Sequence, residues 1–173
     1  MFSSMSSLCQ RHRCRSFAVC AENPTGGKGQ GGRATEGFGK QSAEGLGVGW
    51  KISPCLTVKA GETAVLADIK GQGAIRHIWI TDSADSGRDM LLRIFWDGRD
   101  TPSVECPLGD FFCNPHYGEH RQISSLAICV NSRRAMNSYF EMPYRKGFRV
   151  TVENTTDKEV LVFYQIDCEE KEV

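Results

Sequence analysis

A carboxylate set among apolar residues needs a partner or a use, because an unpaired buried charge is expensive. Two acids stand out on this ground. Asp110 lies in PLGDFF (107–112), between Gly109 and the pair Phe111–Phe112, and Glu141 follows Tyr139 and Phe140 in NSYFEMPY (137–144). A third group is His77 with Trp79 in AIRHIWIT (74–81). Two residues apart on a strand they share a face, and an imidazole beside an indole can bind sugar. The same pair also reads as a hydrogen-bonded interior histidine. Upstream, Glu22, Asn23 and Lys28 stand at the start of a glycine-rich run. That run is either a surface loop or a segment that brings backbone amides and Lys28 near an anionic or polyol ligand. Each acid also has a structural use. Glu22 and Asn23 can turn the chain before Pro24, Asp110 can hold loop amides, and Glu141 can pair with Arg145 or Arg149. No linear spacing here pairs two carboxylates. No catalytic residue is assigned.

Metal and cofactor signatures fall short. Cys9-x-x-His12, with Cys14 and Cys20 nearby, is one knuckle without a second. His116 and His120 have a helical zinc spacing, but Pro115 and Gly118 oppose a helix, and HYGEH is not the HExxH order. Gly27-x-Gly29-x-x-Gly32 matches the dinucleotide fingerprint in letters alone, with no strand read before it and no helix after it. The expectation is no metal and no cofactor.

Length and charge narrow the class. The 173 residues make one domain, or one and a remnant, and 40% apolar content supports a real core. Twenty-one basic residues balance twenty-one acids, so no global field argues for nucleic acid or an acidic membrane. No run approaches the ~20 apolar residues of a membrane span. The first twenty residues are basic, Ser-rich and free of acids. They mimic an organellar transit peptide but read better as a polar arm. Eight cysteines without a secretion signal or a tight framework point to thiols. Cys55, Cys106, Cys113, Cys129 and Cys168 read as small buried apolar residues, and the expected location is the cytoplasm.

The elements that must position these groups are strands. Residues 1–20 form the arm, 21–49 a loop holding ten of the eighteen glycines, 50–168 the folded domain, and 169–173 an acidic tail expected to fray. Strand text appears at 49–53, 56–58, 63–70, 74–81, 91–98, 123–130 and 159–168. The 137–154 stretch reads as two short strands joined at Pro143–Gly147, the second alternating Phe148, Val150 and Val152 against Arg149, Thr151 and Glu153. In 63–70 the expected inward set is Val65, Ala67 and Ile69. In 74–81 the faces read as Ala74, Arg76, Ile78 and Ile80 against Ile75, His77, Trp79 and Thr81. About nine or ten short strands and no convincing amphipathic helix predict an all-β, antiparallel sandwich, with a jelly roll as the preferred topology.

Several segments, in order, resemble glycoside hydrolase family 172. They are AENPTGGKGQGG (21–32), ADIKGQGAIRHIWIT (67–81), LLRIFWDGRDTPSVECPLGDFF (91–112), NSYFEMPYRKGFRVTVEN (137–154) and YQID (164–167). The resemblance implies a jelly-roll β-sandwich, furanoside chemistry, two jelly rolls in tandem, and assembly as trimers or hexamers. It also implies that the catalytic glutamates lie in a second half, in motifs resembling GEGE and GTEDYF, which this sequence lacks. On that footing the chain is a first half, inactive alone and to be completed by a second-half polypeptide, or else a non-catalytic assembly or sugar-binding module. A furanoside or oligosaccharide is the implied ligand. The residues that fall in the family's patterns are Glu22, Asn23, Lys28, Asp110, Phe111, Phe112, Asn131 and Glu141.

Overall fold

The computed structural model describes residues 14–114, 122–131 and 134–171. Two sheets face each other. The larger has eight strands: β1 (Cys14–Cys20), β12 (Val160–Lys171), β4 (Gly73–Asp82), β9 (Ala135–Ser138), β8 (Ile128–Asn131) and β7 (Ile123–Ser124) run edge to edge. In addition β10 (Met142–Tyr144) pairs with β4, and β2 (Cys55–Val58) pairs with β12. The smaller sheet has the order β3 (Thr63–Lys70), β11 (Gly147–Asn154), β5 (Met90–Trp96) and β6 (Val104–Pro107). Every pairing is antiparallel, giving the antiparallel β-sandwich that the alternation predicts. One short helix, α1 (Leu108–Phe111), follows β6, and Leu108 and Phe112 beside it are fully buried.

The inward faces make the core. On β12, Val160, Val162, Tyr164, Ile166 and Cys168 alternate into it without a break. They meet Phe148, Val150 and Val152 of β11 and Leu92 and Ile94 of β5 in one apolar cluster. Tyr164 is fully buried, and its hydroxyl donates to the Leu66 carbonyl, 2.8 Å away in the opposite sheet.

Two bulges decide which side chains leave the core. In β4, Cys168 lies opposite Ile75 and Asp167 opposite His77, so Arg76 is the extra residue. Ile75, Ile78 and Ile80 therefore all point inward, and the simple alternation expected through Ala74, Arg76 and Ile78 is corrected. In β3, Val150 pairs with Ala67 and Thr151 with Val65, which makes Leu66 the extra residue. Leu66 and Ala67 are both buried, while Val65, expected inside, is half exposed.

The chain ends and joints also differ from expectation. Residues 14–20, assigned to the arm, form β1 against β12. The acidic tail is not frayed through Glu170, since Glu169 and Glu170 pair with Ala74 and Gly73. The 49–53 stretch contains no strand, and strand structure begins at Cys55. The 123–130 stretch splits into β7 and β8 around a turn in which Ser125 accepts from and donates to Ile128. Most consequential is 137–154, whose joined strands lie in different sheets. β10 stays in the large sheet, and β11 begins in the small one. Asp97 clamps this crossing, its Oδ1 accepting the Arg145 and Lys146 amides at 2.8 and 2.7 Å. Gly147 follows at φ +147, where a Cβ would stand 2.3 Å from the Ile69 carbonyl oxygen, so only glycine fits.

Candidate functional site

The outer face of the large sheet gathers the polar and aromatic residues. The bulge at Arg76 sets the phase, and from there β4 presents His77 and Trp79 outward. The register places Asp167 opposite His77, and both Gln165 and Asn137 opposite Trp79. His77 Nδ1 meets Asp167 Oδ2 at 2.8 Å, and His77 Nε2 meets Asn137 Oδ1 at 3.1 Å. The Asn137 amide is itself fixed, its Nδ2 donating to the carbonyls of Cys129 and Ala135 at 3.2 and 3.1 Å. Gln165 Nε2 donates to the other Asp167 oxygen at 2.9 Å. The imidazole is thus held at both nitrogens, and Tyr139 stacks on its face with ring centroids 4.6 Å apart and planes 11° from parallel. Tyr139 remains 51% exposed, so an aromatic surface is offered outward beside fixed polar groups.

His77 is therefore hydrogen-bonded, as one reading of the sequence required, but on the outer face of the sheet rather than in the interior. Asp167, Asn137, Tyr139 and Gln165 are the site residues that sequence reasoning did not select. One signal was available for two of them: the unbroken inward alternation from Val160 to Cys168 puts Gln165 and Asp167 on the outer face.

The other candidates are dispersed. Met142 lies opposite Ile75, which brings Glu141 to Arg76, at 2.7 Å. Arg145 and Arg149, the expected partners, are not used. Arg76 also reaches Glu169 at 3.7 Å, forming an acidic–basic cluster beside His77. Asp110 lies on α1, with Oδ2 2.8 Å from Arg88 and an enclosed Oδ1 without a partner. Phe111 packs edge-on against the buried Phe112, centroids 5.0 Å apart. Asn131 is the exposed last residue of β8, its Oδ1 accepting from the Cys129 thiol at 3.4 Å. Among the described residues no hydrogen bond, ion pair or ring contact joins Asp110 to the His77 group.

Glu22 and Asn23 organise the glycine-rich segment. Glu22 accepts the Gly32 amide at 3.1 Å and also the Ser53 amide, tying the segment's two ends together. Asn23 is buried and exchanges two bonds of 3.0 Å with Gly27. Lys28 is exposed. Phe38, from the same segment, packs edge-on against Phe163, centroids 6.1 Å apart. Phe163 is the next outward residue of β12 after Gln165, so the loop borders the His77–Trp79 face.

The seven described cysteines are free thiols. Only Cys55 and Cys168 are buried, and Cys113, expected inside, is exposed. Burial pushes the Cys168 thiol up to about 12, with the Asp167 carboxylate adding to the shift. Among the described residues no three of His, Cys, Asp and Glu converge as a metal site. Cys9, His12, His116 and His120 lie outside the described residues. Among the described residues no helix is long and apolar enough to cross a membrane.

An antiparallel sandwich with a polar, aromatic outer face is the class that fold and geometry define. Within that class, residues 43–171 match the family model described as the GH172 first beta-sandwich domain, and the chain belongs to glycoside hydrolase family 172. No curated protein matches it.

Proposed function

We propose that this domain is the saccharide-facing, non-catalytic half of a furanoside-processing hydrolase. The observation that carries the reading is the outer face of the large sheet. There His77, Asn137, Gln165 and Asp167 form a fixed polar array beside Trp79 and the stacked, half-exposed Tyr139. An exposed ring with bonded polar neighbours suits a ligand whose C–H faces stack and whose hydroxyls need oriented partners. A non-catalytic role is supported by the structural use of the acids singled out above. Glu22 is committed to backbone amides, Glu141 to Arg76, Asp110 to Arg88, and Asp167 to His77 and Gln165. A retaining mechanism needs one carboxyl group as nucleophile and a second, about 5 Å away, as acid and base.

The test is a titration of the intact chain with fructofuranosyl and arabinofuranosyl oligosaccharides, followed by backbone amide NMR. Saturable shifts at His77, Trp79 and Tyr139, weakened in Trp79→Ala, are expected, with no sugar released. A polypeptide carrying the family's second sandwich should restore turnover. Shifts that never saturate, or turnover by this chain alone, would overturn the reading.

A second reading is an assembly unit, a trimer or hexamer of this chain. It is favoured by Phe140, Trp50 and Leu126, which are 48%, 53% and 90% exposed, and by the edge strands β1 and β3, which natural sheets usually cover. Light scattering across a concentration series distinguishes a stable oligomer from a monomer.

A further inference from the structure

We propose that an open cleft on the outer face of the small sheet, far in the topology from the His77 face, binds a carboxylate-bearing ligand of monosaccharide size, a sugar acid. The cleft encloses about 410 Å³ and is lined by Lys70, Phe95, Arg99, Lys146 and Arg149 with Asp68, a volume at the lower end of the range for small-molecule sites.

Arg149 is its centre. The register sets it between Phe95 on β5 and Asp68 on β3. Its guanidinium lies 4.2 Å from the centroid of the buried Phe95 ring. Yet among the described residues no acid pairs with it. Asp68 turns to Lys70, at 3.3 Å, and the enclosed Arg149 Nε has no acceptor. The contrast lies one step along the same face. Arg93, opposite Thr151, holds Glu105 at 2.5 Å and Glu153 at 2.6 Å. An arginine packed on an aromatic ring without an acceptor forgoes its strongest interaction, since the planar fork matches a carboxylate through two parallel bonds.

The surroundings favour an anion. Arg99 and Lys146 reach the cleft from the two loops that frame it. Asp97 in the same lining turns one carboxylate oxygen to the Arg145 and Lys146 amides. Four cationic side chains line the cleft against the three acids Asp68, Asp97 and Asp100, which leaves an excess of one positive charge. The walls are set in advance. The Asp97 amide donates to the Gly147 carbonyl at 2.8 Å, and Gly147 accepts no side chain. A preformed site loses little freedom on binding.

The experiment is an amide NMR titration of the whole chain with D-glucuronate, with D-glucose and inorganic phosphate as comparators. Saturable shifts at Phe95, Arg99, Gly147 and Arg149 are expected with glucuronate and not with glucose. Arg149→Gln should weaken binding about ten-fold or more, and Arg149→Lys should recover part of it, as expected for loss of a bidentate charge-assisted pair. Trp79→Ala should leave glucuronate binding unchanged, which separates this cleft from the saccharide-facing reading. The absence of saturable shifts up to about 50 mM, well beyond useful affinity, would overturn the proposal. So would equal binding of glucose, tighter binding of phosphate, or unchanged affinity in Arg149→Gln. If glucuronate fails to bind and Arg149→Gln instead alters the mass by light scattering, the cleft is a contact for another chain.

Discussion

The ring of His77 on β4 lies nearly parallel to that of Tyr139, 4.6 Å away, and Tyr139 directly follows β9, the strand next to β4 in the sheet. The stack has two unequal members. His77 is tied at both nitrogens, whereas Tyr139 has an exposed ring and a backbone amide bonded to Ala127 at 2.8 Å. Tyr139→Ala should therefore change folding stability little, within about 1 kcal/mol, while removing the outward aromatic surface. His77→Ala leaves Asp167 and Asn137 short of a partner and should cost about 1–3 kcal/mol. Urea unfolding of both variants checks the order, and a larger loss in Tyr139→Ala would contradict it.

Tyr164 spans the two sheets. The bulge leaves Leu66 outside the ladder register, and the Tyr164 hydroxyl satisfies its carbonyl. Tyr164→Phe keeps the shape but strands a buried acceptor, for an expected loss of about 1–3 kcal/mol. An unchanged urea midpoint would show that water or a shift of β3 replaces the bond.

Alkaline pH should destabilise the fold. Burial, with nearby Asp167, pushes the Cys168 thiol up to about 12, and burial also raises Tyr144 and Tyr164 well above the ordinary phenol value. The unfolded chain releases these protons from about pH 9 to 10, while the folded chain retains them. Stability is then fully present below pH 9 and declines as pH rises toward 12. Urea midpoints between pH 7.5 and pH 11, set by that same window, should fall. Cys168→Ala should flatten part of the slope, and identical slopes would remove the thiol from the account.

Asp97 acts at the other end of the scale. The amides of Lys146 and Arg145 hold its carboxyl below the usual value. Its contribution is present above the ordinary carboxylate range and is lost as pH falls through the lower folded value. Asp97→Asn keeps an acceptor oxygen and tolerates φ +56, so it should fold but show a shallower loss of stability on acidification. Acid titration followed by circular dichroism measures this, and a parallel curve would show that the clamp does not titrate with folding.

Glu22 closes the glycine-rich segment by accepting amides from Gly32 and Ser53. Glu22→Ala should speed amide hydrogen exchange between residues 24 and 53 without changing it in β12. Uniform exchange rates across both regions would show that the segment is held by other contacts.

Composition and alternation by themselves determined that this chain is an antiparallel β protein in which Phe148, Val150 and Val152 share one strand face. Period-two burial is a local property, readable wherever a strand is regular. Only the tertiary structure decided the rest. The extra residues Arg76 and Leu66 shift the phase of β4 and β3, and a one-residue shift moves every later side chain to the other face. A bulge carries no composition of its own, so no pattern announces it. The partner of Glu141 could not be read from nearby arginines, because β10 lies against β4 and brings it to Arg76. The meeting of His77, Asn137, Tyr139 and Asp167 depends on three strands from distant parts of the chain lying side by side. That adjacency is set by how the sheets close over the core.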